Sequence, residues 1–487
     1  MIIDCKKTNS GLKLIIDEKE YDLIFPEKIW KNYPEKLKDI FSDNYAYLKV
    51  LHLPQMLSQN WKNKFYRIEK KDNNLNEEKS YSDLKNLKFK TSYPMFKQQI
   101  FNAHLNNLSF CADVDSVSTK EQLKNFLDLN VIFNDYEIKN IIDIEKEIKT
   151  DKELKKDFQE KAIVNMSFGK DSLLTFALAK ELGLNPVPVF MLDNAVKLEN
   201  EYKKELIKKF SKEFNTEVYT IDNQTGILHD YRTWKLPRTE LGYGHLMTEL
   251  LFDIMPFAYY ENAKYILFGD EKSCDDTYIN NEGFLSYPVY DQTSDWVKEM
   301  DNMASFIGMK VSSFIEPLYE LAIIKILHNR YKEIGKYQMS CFPDENEYGK
   351  KHYWCEHCSK CARIYIFMLA NNLDPKSIGF RTDMLVKENE HLFSCFGIEK
   401  KEGCSIGYDA SGCGSEEQLY AFYLAYKNGF KGELIDKFKI DLLKSVEPRA
   451  NELKKKYFGI HESKTIPLKF KEKLEKIFEQ ELKKQNF

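Results

Sequence analysis

From Lys161 onward the chain alternates between two hydrophobic periods. Continuous apolar runs, KAIVNMS at 161–167 and PVPVFMLDN at 186–194, are each followed by a segment with apolar positions at helical spacing. Those segments are LLTFALAKELG at 173–183 and YKKELIKKFSKEF at 202–214. Strands apolar on both faces, alternating with amphipathic helices, predict an α/β fold built on a doubly wound parallel sheet covered on both sides. Upstream the pattern is different. Strand-like pieces occur at LKLIID (12–17) and YDLIF (21–25), a helical stretch at Pro94–Asn107, and a solvated loop at EKKDNNLNEEKS (69–80). A charged run with helical spacing, Ile142–Glu160, leads into the alternating region. After Gly379 the pattern is mainly helical and ends in KFKEKLEKIFEQELKK. Three parts are expected: an N-terminal α+β domain of unassigned role (1–155), the α/β domain (156–385) and a helical C-terminal extension (386–487).

Composition narrows the class. A chain of 487 residues exceeds what one core usually serves, and 43% hydrophobic with 30% charged residues is ordinary for a folded protein. A net charge of −4, from 72 basic and 76 acidic side chains, lacks the footprint of a dedicated nucleic-acid binder, although a local patch can still take RNA. Charges interrupt every short apolar run at the N-terminus, and no run of about 18 uncharged apolar residues occurs. No signal peptide, no membrane partner and a cytoplasmic location are therefore expected. The sequence leaves the oligomeric state open.

Two stretches carry chemistry. In Ala162-Ile-Val-Asn-Met-Ser167-Phe168-Gly169-Lys170-Asp171-Ser172, an apolar strand runs into a Gly-containing turn and then directly into a helix. Such a turn aims backbone N–H groups and the positive end of the helix dipole at an anion. Ser167 and Ser172 add hydroxyl donors and Lys170 a compact charge, while Asp171 in the first turn suits the helix start and a magnesium ion. The plain alternative is a capped strand-to-helix turn. The second stretch is Cys341, then Cys355-Glu-His-Cys358-Ser-Lys-Cys361-Ala-Arg363. Four cysteines with two-residue gaps among the last three can wrap one tetrahedral ion, so a structural Zn2+ is expected. An iron–sulfur cluster on three of them, or buried or redox-active thiols, are the alternatives. His352 and His357 lie close in sequence but are unnecessary to a complete cysteine set.

SFGKDS at 167–172 resembles the SGGxDS signature of the PP-loop ATP pyrophosphatases, which cleave ATP to AMP and pyrophosphate. The resemblance implies that Ser167, Phe168, Gly169, Lys170, Asp171 and Ser172 hold ATP with Mg2+, and that Lys170, Asp171 and Ser172 serve catalysis. It also places Asp193, at the next strand end, beside the adenine. Phe168 stands where that family usually has glycine, and is expected to keep a negative φ with its ring turned from the phosphates. MSCF followed by CEHCSKCAR is similar to the WSCY and CGxCxxCxxR motifs of the 7-cyano-7-deazaguanine synthases, with Arg363 one position early. The order of parts, including FGDEKS at 268–273, also resembles muramoyl-dipeptide glutamate epimerase. The likeness covers about residues 160–380.

Weaker candidates surround these. Gly269, Asp270 and Glu271 follow an apolar strand and, with Asp291 of YPVYDQ and Arg363, are expected to face substrate. Exposed loop acids are the bland reading. His245 is weighed as a base against a simple helix-capping turn. Gly407–Gln418 is weighed as a ligand approach against a turn capped by Ser415. The function implied is adenylation of a carboxylate or amide oxygen on a small molecule, by an AMP-forming, ligase-like enzyme. An acyl-adenylate epimerase, a tRNA-thiolating enzyme and an ATP-binding regulatory or defence component are the alternatives.

Overall fold

The computed structural model describes residues 1–58, 84–134, 156–397 and 407–483, with positions 146, 150, 151 and 154 between them. The loop expected at 69–80 lies outside the described residues, as does most of the leading helix expected from Ile142. Twelve strands are described: β1 (Ile2–Thr8), β2 (Gly11–Ile16), β3 (Lys19–Ile24), β4 (Asn86–Phe89), β5 (Asn130–Phe133), β6 (Gln159–Asn165), β7 (Val187–Asp193), β8 (Tyr219–Asn223), β9 (Ala263–Phe268), β10 (Tyr278–Ile279), β11 (Leu285–Ser286) and β12 (Lys310–Ser313). Ten make one sheet in the order β12-β9-β6-β7-β8-β3-β2-β1-β4-β5, and β10 and β11 form a small ribbon.

The alternating pattern after Lys161 becomes five parallel strands, β8-β7-β6-β9-β12. In chain order they start at β6, wind outward through β7 to β8, then return to the other side of β6 with β9 and β12. The winding thus reverses between β6 and β9, where the carboxyl ends of parallel strands leave a crevice. Continuous apolar character along β6 reflects burial on both faces. Ala162 and Val164 join one apolar cluster with the helices Lys170–Glu181, Glu320–Arg330 and Ser359–Ala370. Ile163 joins another with Glu35–Val50, Lys97–Val114 and Leu246–Tyr260. The described residues from 386 onward contain helices and no strand, and the helices Ser415–Lys427 and Leu468–Leu482 pack into the first cluster.

The N-terminal segment does not sit apart from this layer structure. β3 pairs antiparallel with β8 through Leu23↔Asn223 and Ile24↔Asp222, and the hairpin strands β1 and β2 extend the sheet to β4 and β5. Its apolar residues share one cluster with those of β6, β7 and β9. The physical reason is an edge: without β3, β8 would present open backbone groups, and the helices Glu35–Val50 and Leu246–Tyr260 would each lose their cover.

A buried ion pair joins these two helices. Lys49 Nζ lies 2.6 Å from Glu249 Oε1, and both side chains are at most 1% exposed. Asn223, at the end of β8, donates to the same oxygen at 2.8 Å. Lys49→Met is expected to cost about 3–5 kcal/mol by stranding the Glu249 charge, read as a lower urea midpoint, with much of the loss recovered in Lys49→Met/Glu249→Gln. An unchanged midpoint in the single variant would mean that residues 1–155 fold independently of the parallel strands.

Candidate functional site

β6 ends at Asn165, and four residues later Gly169 caps the helix Lys170–Glu181 in extended conformation. Leu173 N–H is the first to find a helical acceptor, the Gly169 carbonyl at 3.1 Å. The first-turn N–H groups before it have no helical partner, by the geometry of any helix start. The two serines organise the turn. Ser167 N–H donates to Ser172 Oγ at 3.2 Å, the two hydroxyls are 3.2 Å apart, and Gly169 N–H donates to Ser167 Oγ at 3.2 Å.

Phe168 corrects one expectation and meets another. Its φ is +59°, in the left-handed region rather than negative. Its ring is fully buried, packed edge-on to Phe210 at 5.5 Å and beside Phe190 at 6.3 Å, so it does turn away from the open side of the turn. The left-handed conformation costs a non-glycine residue about 1–2 kcal/mol. Removing a buried phenylalanine ring costs about 3–5 kcal/mol. Packing wins, and the bond from Met339 N–H to the Phe168 carbonyl (2.8 Å) helps hold the backbone there.

Lys170 also differs from expectation. It was expected to stand open to an anion, yet it is buried, with Nζ 2.7 Å from Asp171, 2.9 Å from Glu320 and 3.9 Å from Glu271. Burial favours its neutral form, but these three carboxylates outweigh it and hold the ammonium above its usual range. Arg363 Nη1 binds the other Glu320 oxygen at 3.0 Å and Asp409 at 3.2 Å. A chain of alternating charge, Asp171–Lys170–Glu320–Arg363–Asp409, therefore runs along one wall. Burial pushes Glu320 up, and Arg363 and Lys170 overcome this to hold it well below the ordinary carboxylate range.

The ends of β7 and β9 supply the other walls. Asp193 is not a solvated turn residue: its carboxylate accepts Ala195 N–H at 2.8 Å and lies 3.1 Å from His229 Nε2. Burial would raise it, and His229 holds it low. After β9, Gly269 passes so close to the Ser167–Ser172 turn that an added Cβ would stand 2.9 Å from Asp171 Cβ and 3.1 Å from Ser172 N. Asp270, Glu271 and Asp291 are buried acids rather than exposed loop acids, and among the described residues Asp270 Oδ2 and Glu271 Oε2 have no hydrogen-bond partner. Burial pushes Asp270 up, and Asp291, Asp171 and Glu271 add to the push. Burial also takes Asp291 up to about 7, against a backbone N–H bond from Met247 at 2.9 Å.

These groups line one cavity of about 480 Å³. Asn107 and Phe110 of the N-terminal segment and Gly407 and Tyr408 of the C-terminal one complete it, so all three expected parts reach it. Its size lies within the range of small-molecule sites. Sequence reasoning missed Glu320, Lys360 and His229 on its walls. Lys360 had a visible signal, a cation inside the CSKC turn, whereas Glu320 and His229 belong to no motif. His245 does not line the cavity: it is buried beside His52 (ring centroids 5.0 Å) and precedes the helix Leu246–Tyr260 without a side-chain cap bond. Ser415 is the first residue of its helix rather than the cap, which is Gly414.

The four cysteines meet as their spacing predicts. Cys341, Cys355, Cys358 and Cys361 are buried, with all four Sγ atoms within 4.8 Å of one another. Cys355 Sγ and Cys361 Sγ are 3.8 Å apart. A tetrahedron with Zn–S bonds of about 2.3 Å has edges of about 3.8 Å, so the thiols fit a metal such as zinc. Cys355 N–H donates to Cys341 Sγ at 3.2 Å, and His357 N–H and Asn346 Nδ2 donate to Cys355 Sγ. Such donors steady metal-bound thiolates. The nearby histidines are engaged elsewhere: His357 stacks on Tyr348 at 3.5 Å, and His352 accepts Trp354 N–H.

Compared with known proteins, the chain matches no family model. No curated protein matches it either.

Purified protein is expected to carry about one zinc per chain, and Cys358→Ser to lose it together with thermal stability. Elemental analysis decides this, and iron with sulfide, or no metal, would overturn it. A second expectation concerns pH. Burial moves Asp291 from 3.8 to about 7, so between these values the folded chain keeps a proton that the unfolded chain has lost. Stability without ligand should fall as pH rises across that window, by up to about 4 kcal/mol from this group, whose contribution levels off above it. Asp291→Asn should flatten the slope in urea unfolding between pH 5 and 8. A slope unchanged by the substitution would assign it to another group.

Proposed function

We propose that the chain is an ATP pyrophosphatase of the PP-loop, HUP-type class, which adenylates a carboxylate or amide oxygen of a small molecule with Mg2+. One observation carries this reading. At the reversal of winding between β6 and β9, a Ser-Phe-Gly-Lys-Asp-Ser turn with open first-turn N–H groups faces the buried acids Asp270 and Glu271 across one cavity, each with one carboxylate oxygen left without a hydrogen bond among the described residues. An anion acceptor beside a cation acceptor suits a magnesium–polyphosphate ligand.

In this reading the first turn of Lys170–Glu181 and the hydroxyls of Ser167 and Ser172 receive the phosphates that leave. Asp171, Asp270 and Glu271 would hold the magnesium ion, which supplies charge neutralisation on the departing pyrophosphate. The acceptor oxygen attacks the α-phosphorus, the bond from that phosphorus to the pyrophosphate oxygen breaks, and both electrons leave with pyrophosphate. AMP departs when a second nucleophile, or a base, completes the reaction. The four-cysteine site fixes the segment 339–361 and enters no step.

A second reading, an epimerase working through an acyl-adenylate, is favoured by Asp291. Its carboxyl, raised to about 7 by burial, lines the same cavity and is matched to moving a proton from carbon at neutral pH. Solvent deuterium entering the carbon beside the activated carboxylate would select it over a ligase.

Nucleotide chromatography after incubation with magnesium, ATP and cell-derived small molecules tests the class. AMP and pyrophosphate are expected, with Ser172→Ala lowering turnover by roughly 100-fold, the scale of losing one donor to developing charge. Substrate-dependent ADP without AMP would rule the class out.

A further inference from the structure

Five cations line the cavity, and among the described residues four of them are matched by carboxylates. Lys170 pairs with Asp171 and Glu320, Arg363 with Glu320 and Asp409, Arg232 with Asp230, and Arg238 with Glu240. Lys360 is the exception. It is half-buried, no carboxylate lies within 4.0 Å of its ammonium among the described residues, and its contact is the Phe342 ring, 5.0 Å to the centroid.

Its placement breaks several local rules at once. Lys360 is the second residue of the helix Ser359–Ala370, whose first turn contains no acidic residue. A cation there opposes the helix dipole. Arg363 follows three residues later on the same face, a like-charge spacing that is unfavourable on any helix. Ordinary sequence pressure would remove such a lysine, and local rules broken without compensation in the fold mark functional positions. Two further donors are unsatisfied among the described residues: Arg363 Nε, on a residue 4% exposed, and Ser340 Oγ, two residues before Phe342. Ser340 Oγ would lie 3.7 Å from a Cβ placed on Gly169, which puts it against the Ser167–Ser172 turn.

We propose that Lys360, with Arg363 Nε and Ser340 Oγ, forms a second anion subsite that grips the outermost phosphate of a pyrophosphate group, free or as the β,γ end of ATP, whose other phosphate lies on the Ser167–Ser172 turn. This rests on the nucleotide reading above. The ligand class is a linear polyphosphate, so an α-monophosphate alone does not reach the subsite. The CxxC turn then has a second consequence: by fixing Cys358 and Cys361, it fixes the lysine between them.

Isothermal titration of the full, metal-loaded chain with ATP, pyrophosphate and AMP tests this, using wild type, Lys360→Gln and Lys360→Arg. Lys360→Gln should weaken ATP and pyrophosphate by roughly tenfold or more, as for one charge-assisted bond to phosphate. AMP affinity, metal content and thermal midpoint should stay as in wild type, and Lys360→Arg should restore most of the loss. Wild-type affinity for ATP and pyrophosphate in Lys360→Gln overturns the subsite alone and leaves the nucleotide reading standing. Loss of metal with equal weakening of all three ligands also overturns it, making Lys360 a counter-charge to the thiolates. A wild-type protein that binds neither ATP nor pyrophosphate overturns the subsite and the nucleotide reading together.

Discussion

Lys203 is the clamp on which the site depends. From the helix Lys197–Phe214 its ammonium donates to two backbone carbonyls, those of Ser167 and, at 2.6 Å, Met339. Glu199 stands farther off at 3.7 Å, and the Phe168 ring lies beneath the ammonium. Burial lowers Lys203 to about 8, the toll of placing a charge where two neutral carbonyls are its main partners. Those carbonyls occur where β6 has left the ladder and where the chain approaches Cys341, places without strand partners. Without Lys203 the Met339 carbonyl would be buried and unsatisfied, which is more expensive than an imperfectly solvated ammonium. The clamp and the bond from Met339 N–H to the Phe168 carbonyl tie the serine turn to the cysteine segment. The left-handed Phe168 persists because its surroundings over-determine it.

The same tie explains how so much charge stays buried near the turn. Lys170, Glu320 and Arg363 come from three different helices, and each satisfies the next, so no member is left as an isolated ion. Burial alone would disfavour the charge on each of them. Asp409 closes the series from the C-terminal segment and accepts Ser359 O–H at 2.9 Å, which docks the 407–411 turn onto the helix carrying Lys360. The acids beyond this chain, Asp270 and Asp291, have no cation within 4.0 Å among the described residues. Their raised pKa values follow from that difference in company rather than from depth alone.

What was legible in the sequence follows the range of the forces involved. Strand and helix periods after Lys161 are local, and β6, β7 and the helices behind them lie where the pattern puts them. Cysteine spacing is nearly local too, and all four thiols converge. The N-terminal strands were visible as strands, but not their destination: pairing of Leu23 with Asn223 crosses about two hundred residues and leaves no local mark. Phe168 was misjudged in φ because aromatic residues avoid the left-handed region in isolation, and only the Phe210 pocket and the Met339 bond reverse that preference. The pairing of Lys170 was not legible because its carboxylate partner Glu320 lies 150 positions away, outside any motif.

The pairing of Lys170 changes the division of labour in the cavity. A lysine already bound to Asp171 and Glu320 meets an arriving anion only by giving up part of an existing pairing, so its attraction for a ligand is discounted by what it loses. The first-turn N–H groups carry no such discount, because they are unpaired by the geometry of the helix start. Under the proposed reading the backbone of the turn selects the anion, while the alternating charges fix the turn and set the local potential. The conformation of Phe168 and Gly169 then matters more to recognition than the charge of Lys170. That conformation is held from behind, by Lys203 and Met339, on the side of the sheet layer where the cysteines meet.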